Sequence, residues 1–383
     1  MFDIELQVIH SGYDRKTCWV HARPGAIPGD PASVVVTMHK LRLTGSDVFY
    51  PINDMRTDDC GQSWVGPVPH EEAFARRPCN EYGFQEGVCD FTPSWHEKSG
   101  VLLGTGHTVR YENDNIPSGT KPRDTIYSIY DGIARTWSPW KRLDVPDPIK
   151  FYNQGAGSTQ RVDLPNGDIL LPTYYVIFGT EEGAFDGQLV STVMRCAFDG
   201  TDLTYMEHGT ELTIPGGRGF AEPSLAYAGG HYFLTLRNNE SGYVAAGVDG
   251  LHFDRPSRWN FDDGVDLGNY NTQQHWLAHG EDLYLIYTRW GAGNDHVFRH
   301  RAPLFIAQVD KNRLCVIRET ERVLVPEHGA RLGNFGVTKV DDHEYWVAVS
   351  EWMQTNPPDH FDSTVCEQYG SDNRIFIAKV RFT

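Results

Sequence analysis

Thr57-Asp58-Asp59-Cys60-Gly61-Gln62-Ser63-Trp64 is the stretch on which the reading of this chain turns. It fits the pattern Ser/Thr-x-Asp-x-Gly-x-Ser/Thr-Trp, known as an Asp box. An aspartate that accepts backbone N–H bonds closes a hairpin, and the aromatic packs beneath it. The motif is structural and carries no chemistry of its own. Looser copies follow, each a turn led by Asp131, Asp199 or Asp249 and ending on an aromatic: YDGIARTW, FDGTDLTY and VDGLHF.

Between these turns the chain is rich in short apolar runs, such as ASVVVTM (32–38), GDILLPTYYVI (167–177), DLYLIYTRW (282–290) and RIFIAKV (374–380). No long 3.6-residue period appears, and helix is expected only near 71–76. A second feature recurs: a polar segment opens a strand at DFTPSW (90–95), GSTQRV (157–162), AEPSLA (221–226), TQQHWL (272–277) and GNFGVT (333–338). These segments lie roughly 50–70 residues apart, the span of a four-stranded blade, so the chain reads as an all-β protein, one β-propeller domain over 1–383. Six blades are counted directly. A seventh is expected if a strand near 3–9 pairs with C-terminal strands to close the ring.

The starts of the innermost strands converge on one mouth of the channel. That expectation gathers Asp90, Gln160, Arg161, Glu222, Gln274, His275 and Asn334, with Arg218 of the GGRGF loop in reach and His107 near one end. Arginine forks and amides suit a carboxylate-bearing sugar. Glu222 and the Gln273–Gln274 pair are read as structural. His107 and Arg161 stand in Gly-rich settings (GTGHT, GAGSTQR) that admit a close ligand. The segment 294–303 adds His296, His300 and Arg301 without matching a metal motif. His21 and Arg23 occupy a strand-to-loop junction, where a catalytic role competes with a structural one. A calcium ion on the axis would take carbonyls, waters and Asp90.

Composition excludes much. Lys plus Arg is 34 against 51 Asp plus Glu, a net charge of −17, which argues against non-specific nucleic-acid binding. No apolar run is long enough to span a bilayer as a helix. Seven scattered cysteines contain no C-x-x-C pair and read as buried thiols, although Cys79 and Cys89 could close a small loop. The N-terminus shows no secretory leader, which leaves an intracellular protein or one with its signal removed. Rossmann, P-loop, Gly-x-Ser-x-Gly and His-Glu-x-x-His motifs are missing, so hydride transfer, phosphoryl transfer and zinc proteolysis are poor readings. A closed propeller is expected to be a monomer.

KTCWVHARPG, GSDVFY followed by MRTDDCGQSW, TQQHW, NDHVFRHRAPLFIAQVD and RLGNFGVT resemble the family of L-rhamnose-α-1,4-D-glucuronate lyases and α-L-rhamnosidases, relatives of propeller ulvan lyases. The resemblance implies a seven-bladed propeller that acts on a uronic-acid glycan. It implies His107 and Arg161 as catalytic residues for elimination, or His21 for hydrolysis. Gln160, Arg218, Gln274, His275, Arg301 and Asn334 would bind substrate. No Arg-Ile-Pro segment opens the first blade, which speaks against sialidase activity. The mouth must be positive despite the chain's net charge, and a non-catalytic glycan-binding propeller is the third reading.

Overall fold

A computed structural model describes residues 2–43, 47–79, 83–117, 122–178, 185–215, 217–356, 358–359 and 362–383. Among them the strands form six antiparallel sheets. Blade 1 runs Thr17–Ile27, Ser33–Arg42, Asn53–Thr57, Val65–Pro69 from the axis outward, and blade 4 runs Ala221–Ala228, His231–Arg237, Gly242–Gly247, Ser257–Arg258. The inner strands of blades 2, 5 and 6 are Gln85–His96, His275–His279 and Phe335–Lys339. That of blade 3 is split into Gln154–Gly155 and Val162–Asp163. Inner strands touch round the ring: Thr17–Ile27 packs on Gln85–His96 and on Phe335–Lys339, and His275–His279 packs on Ala221–Ala228 and on Phe335–Lys339.

The strand expected at 3–9 forms as Phe2–His10 and does pair with the C-terminus, Phe2 opposite Phe382 and Val8 opposite Phe376. It makes no seventh blade. It is the outer strand of blade 6, next to Ile375–Phe382, so the ring closes at the six blades counted directly. That arrangement also explains the spacing of the aspartate turns. Asp59, Asp131, Asp199 and Asp249 each end or follow the third strand of a blade, and Asp310 ends that of blade 5, accepting the N–H groups of Asn312 and Arg313 at 3.0 Å. Blade 6 has no such turn because its third and fourth strands come from opposite ends of the chain.

Alternating apolar residues fill the wedges between neighbouring sheets. Val35, Phe74, Phe91, Leu102 and Trp137 pack between blades 1 and 2, and Val244, Trp259, Trp276, Leu285 and Phe305 between blades 4 and 5. Trp140, Trp259, Trp276 and Trp346 are fully buried, so these tryptophans serve the core and not sugar stacking. The expected short helix is present as Glu71–Phe74. All seven cysteines are free thiols, and five are buried.

In the Asp box, Asp59 Oδ1 accepts from Thr57 Oγ1 at 2.8 Å and from Ser63 N at 2.8 Å, and Oδ2 accepts from Ser63 Oγ at 2.6 Å. The Ser63 hydroxyl and amide hold its pKa down to about 2. A depressed carboxyl stabilises the fold above its unfolded-state pKa and loses that contribution as pH falls through the folded value. Asp59→Asn is therefore expected to lower the urea midpoint at neutral pH, with the difference from wild type vanishing as pH approaches about 2. A gap that persisted in acid would refute the assignment.

Candidate active site

Five inner strands enter the ring through a kink with left-handed backbone at a residue other than glycine: His21 (φ 58), Asp90 (φ 52), Ser158 (φ 56), Glu222 (φ 45) and Asn271 (φ 50). Strand register slips at three of these points, between Val20 and Arg23, Cys89 and Thr92, and Ala221 and Ser224. Such a bulge bends the strand and re-aims one side chain, at a cost of about 1–3 kcal/mol for each strained residue. Here His21, Asp90 and Glu222 are delivered to one axial cavity of about 400 Å³. The second strand of each hairpin adds a residue at the same level: His107 opposite Cys89, Tyr174 opposite Gly155, and Arg237 opposite Ala221.

The cavity is strongly cationic. Arg123, Arg218, Arg237, Arg299, Arg301 and Arg331 line it against three carboxylates, Asp47, Asp90 and Glu222. Arg237 pairs with Glu222 and donates to Asn271 Oδ1 at 2.7 Å. Arg301 donates to Asn334 Oδ1 at 3.4 Å and to the Asn271 carbonyl. Arg331 lies over Trp352 at 3.5 Å. The Nε atoms of Arg237, Arg301 and Arg331 are buried without a hydrogen-bond partner, as is Glu222 Oε2. Burial, then Arg237, lowers Arg218 to about 10, and burial lowers Arg331 to about 9. Burial and the neighbouring Arg331, Arg237 and Arg299 bring Arg301 well below its ordinary value. Cations crowded this way in a partly dry cavity are relieved by an anion. Across the cavity, Arg123 donates to Asn153 Oδ1 at 2.8 Å and to Tyr174 Oη at 3.2 Å. Burial pushes the Tyr174 hydroxyl up to about 12.

Asp90 is the hub of the opposite wall. It accepts from Arg23 Nη2 at 2.8 Å and Ser158 Oγ at 2.6 Å, and it lies 3.4 Å from both His21 Nδ1 and His107 Nε2. Burial raises its carboxyl pKa, but His21, His107 and Arg23 outweigh that and hold it well below the carboxylate range. His107 Nδ1 donates to the Thr108 carbonyl at 2.9 Å, which leaves Nε2 turned to Asp90 and the cavity. Gly155 and Gly157 are required here. A Cβ on Gly157 would meet His107 Cδ2 at 2.0 Å, so the Gly-rich run seats this histidine.

Of the residues singled out as catalytic or substrate-binding, His21, His107, Arg218, Arg301 and Asn334 line one cavity, as do Asp90 and Glu222. Arg161 does not join them. Its guanidinium donates to Asp163 Oδ1 at 2.9 Å and to the carbonyls of Leu103 at 2.8 Å and Ser94 at 3.0 Å, so the expected His107–Arg161 pair does not form. Gln160 bonds the backbone of Trp276 and, with Arg161, lines a separate hollow beside Lys339 and Tyr345. Gln274 donates to the Thr272 carbonyl. His275 sits in the dry interior between Ser224 Oγ and Gln273 Nε2, 2.8 Å from each, and burial lowers it to about 3. The reason is distance along the strand: at ~3.3 Å per residue, Arg161 and His275 lie about 10 Å or more beyond the kinks at Ser158 and Asn271. His296 pairs with Glu327, and His300 bonds Tyr270 Oη at 2.7 Å. The neighbours of Asp90 are imidazole nitrogens, a thiol, a guanidinium and one hydroxyl, a set too poor in oxygen to fit an axial calcium ion.

Asp47, Arg123, Tyr174, Arg237, Arg331 and Trp352 were not anticipated from the sequence, while Arg299 belongs to the His/Arg-rich segment 294–303. The signal that could have found Tyr174 and Arg237 is the hairpin: each follows its blade's kink by one strand, as His107 follows Asp90.

No protein-family model matches the chain, and no curated protein does. Solved structures do match. A protein from Dyadobacter fermentans described as of unknown function aligns with TM-score 0.66 at 13% identity, covering 99% of each chain. The Hadza microbial sialidase Hz136 aligns at 0.63 and 14%, over 97% of this chain and 68% of that one. The NanB sialidase of Streptococcus pneumoniae aligns at 0.64 and 11%, over 97% and 70%. At these identities the likeness is one of fold, that of a β-propeller.

Proposed function

We propose that the protein is a carbohydrate-active enzyme that grips an acidic sugar by its carboxylate at the cationic mouth and cleaves the adjoining glycosidic bond. The observation that carries this reading is the excess of arginine over carboxylate in a single cavity, with three arginine Nε atoms buried and unsatisfied, in a chain of net charge −17. A cavity of this size suits a sugar residue or two. The likeness to proteins titled sialidases supports a glycan ligand.

The chemistry favoured is β-elimination from rhamnosyl-α-1,4-glucuronate. Arg301, Arg237 and Arg331 would neutralise the uronate carboxylate, the role that Arg161 cannot fill, and so acidify the C5 proton. His107 would take that proton or pass one to the departing oxygen. The C5–H electron pair becomes the C4=C5 double bond, the C4–O bond breaks, and rhamnose leaves with a proton on its oxygen. A second reading, hydrolysis of the same bond, is favoured by Asp47 and Glu222 standing at the same mouth with His21.

Incubation with rhamnosyl-glucuronate side-chain oligosaccharides, with sialyl-lactose in parallel, decides the matter. Free rhamnose together with the ultraviolet absorbance of an unsaturated uronate is expected. Rhamnose without absorbance replaces elimination by hydrolysis, and sialate release alone moves the substrate to another acidic sugar. No product and no binding of any uronate overturns the proposal.

A further inference from the structure

The wall around Asp90 holds a grouping that the elimination reading leaves without a role, although the hydrolysis reading draws on its His21. His21 Nδ1, Cys89 Sγ and an Asp90 carboxylate oxygen lie within 4.8 Å of one another. The His21–Asp90 separation is 3.4 Å, and Cys89 Sγ stands 3.5 Å from Asp90 Oδ2. Ligand atoms of a tetrahedral zinc ion lie roughly 3.3–3.6 Å from one another, and both distances are of that length, His21 facing Oδ1 and Cys89 facing Oδ2 of the same carboxylate. His21 is 3% exposed, and its Nδ1, although near Asp90, has no hydrogen-bond partner. A second imidazole nitrogen is in the same state. His39 donates from Nδ1 to the Tyr50 carbonyl at 3.2 Å, its Nε2 is buried without a partner, and its ring centroid lies 5.9 Å from that of His21. Buried imidazole nitrogens left without partners on one wall are what ligand positions look like before the ion arrives.

From this geometry we infer that His21 Nδ1, Cys89 Sγ and the Asp90 carboxylate bind one thiophilic divalent cation of the zinc class, with the remaining coordination position opening to the cavity. The donors decide the class of ion. A thiolate and an imidazole select a borderline-soft metal over calcium or magnesium. Cys89 releases its thiol proton to solvent on binding, and the thiolate and Asp90 then balance the ion's two charges within a cationic site. Arg23 and Ser158, both bonded to Asp90 Oδ1, hold the carboxylate in place as outer partners of metal ligands do. The site does not depend on which sugar the cavity takes, and its test reads metal and not turnover.

Purified full-length protein is stripped of metal and titrated with cobalt(II). The expected result is one equivalent bound, with intense visible bands of tetrahedral cobalt and a near-ultraviolet thiolate-to-cobalt band. Zinc should displace the cobalt and raise the thermal midpoint. In Cys89→Ser the thiolate band should disappear, and in His21→Gln the affinity should fall by about 10-fold or more. Cys196→Ser, a buried thiol in the wedge between blades 2 and 3, should leave the spectrum unchanged. Absence of binding, or a thiolate band that survives Cys89→Ser, overturns the inference. Should Cys89→Ser fail to fold, zinc-edge X-ray absorption of the wild type decides: a sulfur scatterer at about 2.3 Å supports the site, and a shell of oxygen and nitrogen alone sinks it.

Discussion

Asp90→Ala is expected to cost about 3–5 kcal/mol of folding free energy, the largest structural effect of any single change at the mouth. Arg23 is 0% exposed, and its guanidinium is held by Asp90, Ser158, Gln273 and the Phe91 carbonyl. Only Asp90 among these carries charge. Its removal leaves a buried cation with neutral acceptors, and it also takes away the group that faces His21 and His107. Guanidinium unfolding at constant slope reads the loss as a lower midpoint. The double variant Arg23→Met/Asp90→Ala should regain part of it, because the stranded charge is then gone. A loss under ~1 kcal/mol, or no recovery in the double variant, would show that the pair is not the mouth's internal brace.

Arg301→Gln is expected to lower kcat/KM on the cleaved glycan by about 10²–10³-fold while the fold survives. The side chain is 3% exposed yet faces the cavity, and it is anchored at Asn334 and at the Asn271 carbonyl. Glutamine keeps a donor for that carbonyl but removes the charge and the fork that a carboxylate needs. Relief of crowding works the other way for stability. Arg331, Arg237 and Arg299 all oppose the charge on Arg301, so its loss should leave the unfolding midpoint level or slightly raised. A stable variant with wild-type turnover would remove Arg301 from the clamp. Equal losses on acidic and neutral sugars would deny that the clamp reads charge.

The architecture was legible because its signals are local. Asp59, Asp131, Asp199 and Asp249 mark turns whose hydrogen bonds are made within a few residues, and each polar strand opening lies near the axis as read. The blade count from spacing was right. The seventh blade implied by family resemblance failed because Phe2–His10 completes blade 6. The site was only half legible, since membership depends on depth along a strand, which composition does not record. Asp90 and Arg161 both open inner strands in the sequence, yet one is at a kink and the other lies three residues past one. Arg237 and Tyr174 were missed for a related reason: they lie on second strands, and sheet register shows that they stand opposite Ala221 and Gly155, beside the kinks at Glu222 and Ser158. Arg331 lies just before the segment that revealed Asn334, and its place at the mouth is set by backbone pairing with Trp352.

The repeated left-handed kink separates scaffold from chemistry. Hydrogen-bond ladders and interblade wedges hold each strand on either side of the kink, so the residue at its apex is fixed chiefly by its partners around the axis, as Asp90 is by Arg23 and Glu222 by Arg237. His21, Asp90, Ser158, Glu222 and Asn271 thus behave as sockets on a common wheel, filled by an imidazole, two carboxylates, a hydroxyl and an amide. Exchanging a fitting together with its axial partner leaves the other spokes in register, which gives a chain of this architecture a short path from one anionic ligand to the next.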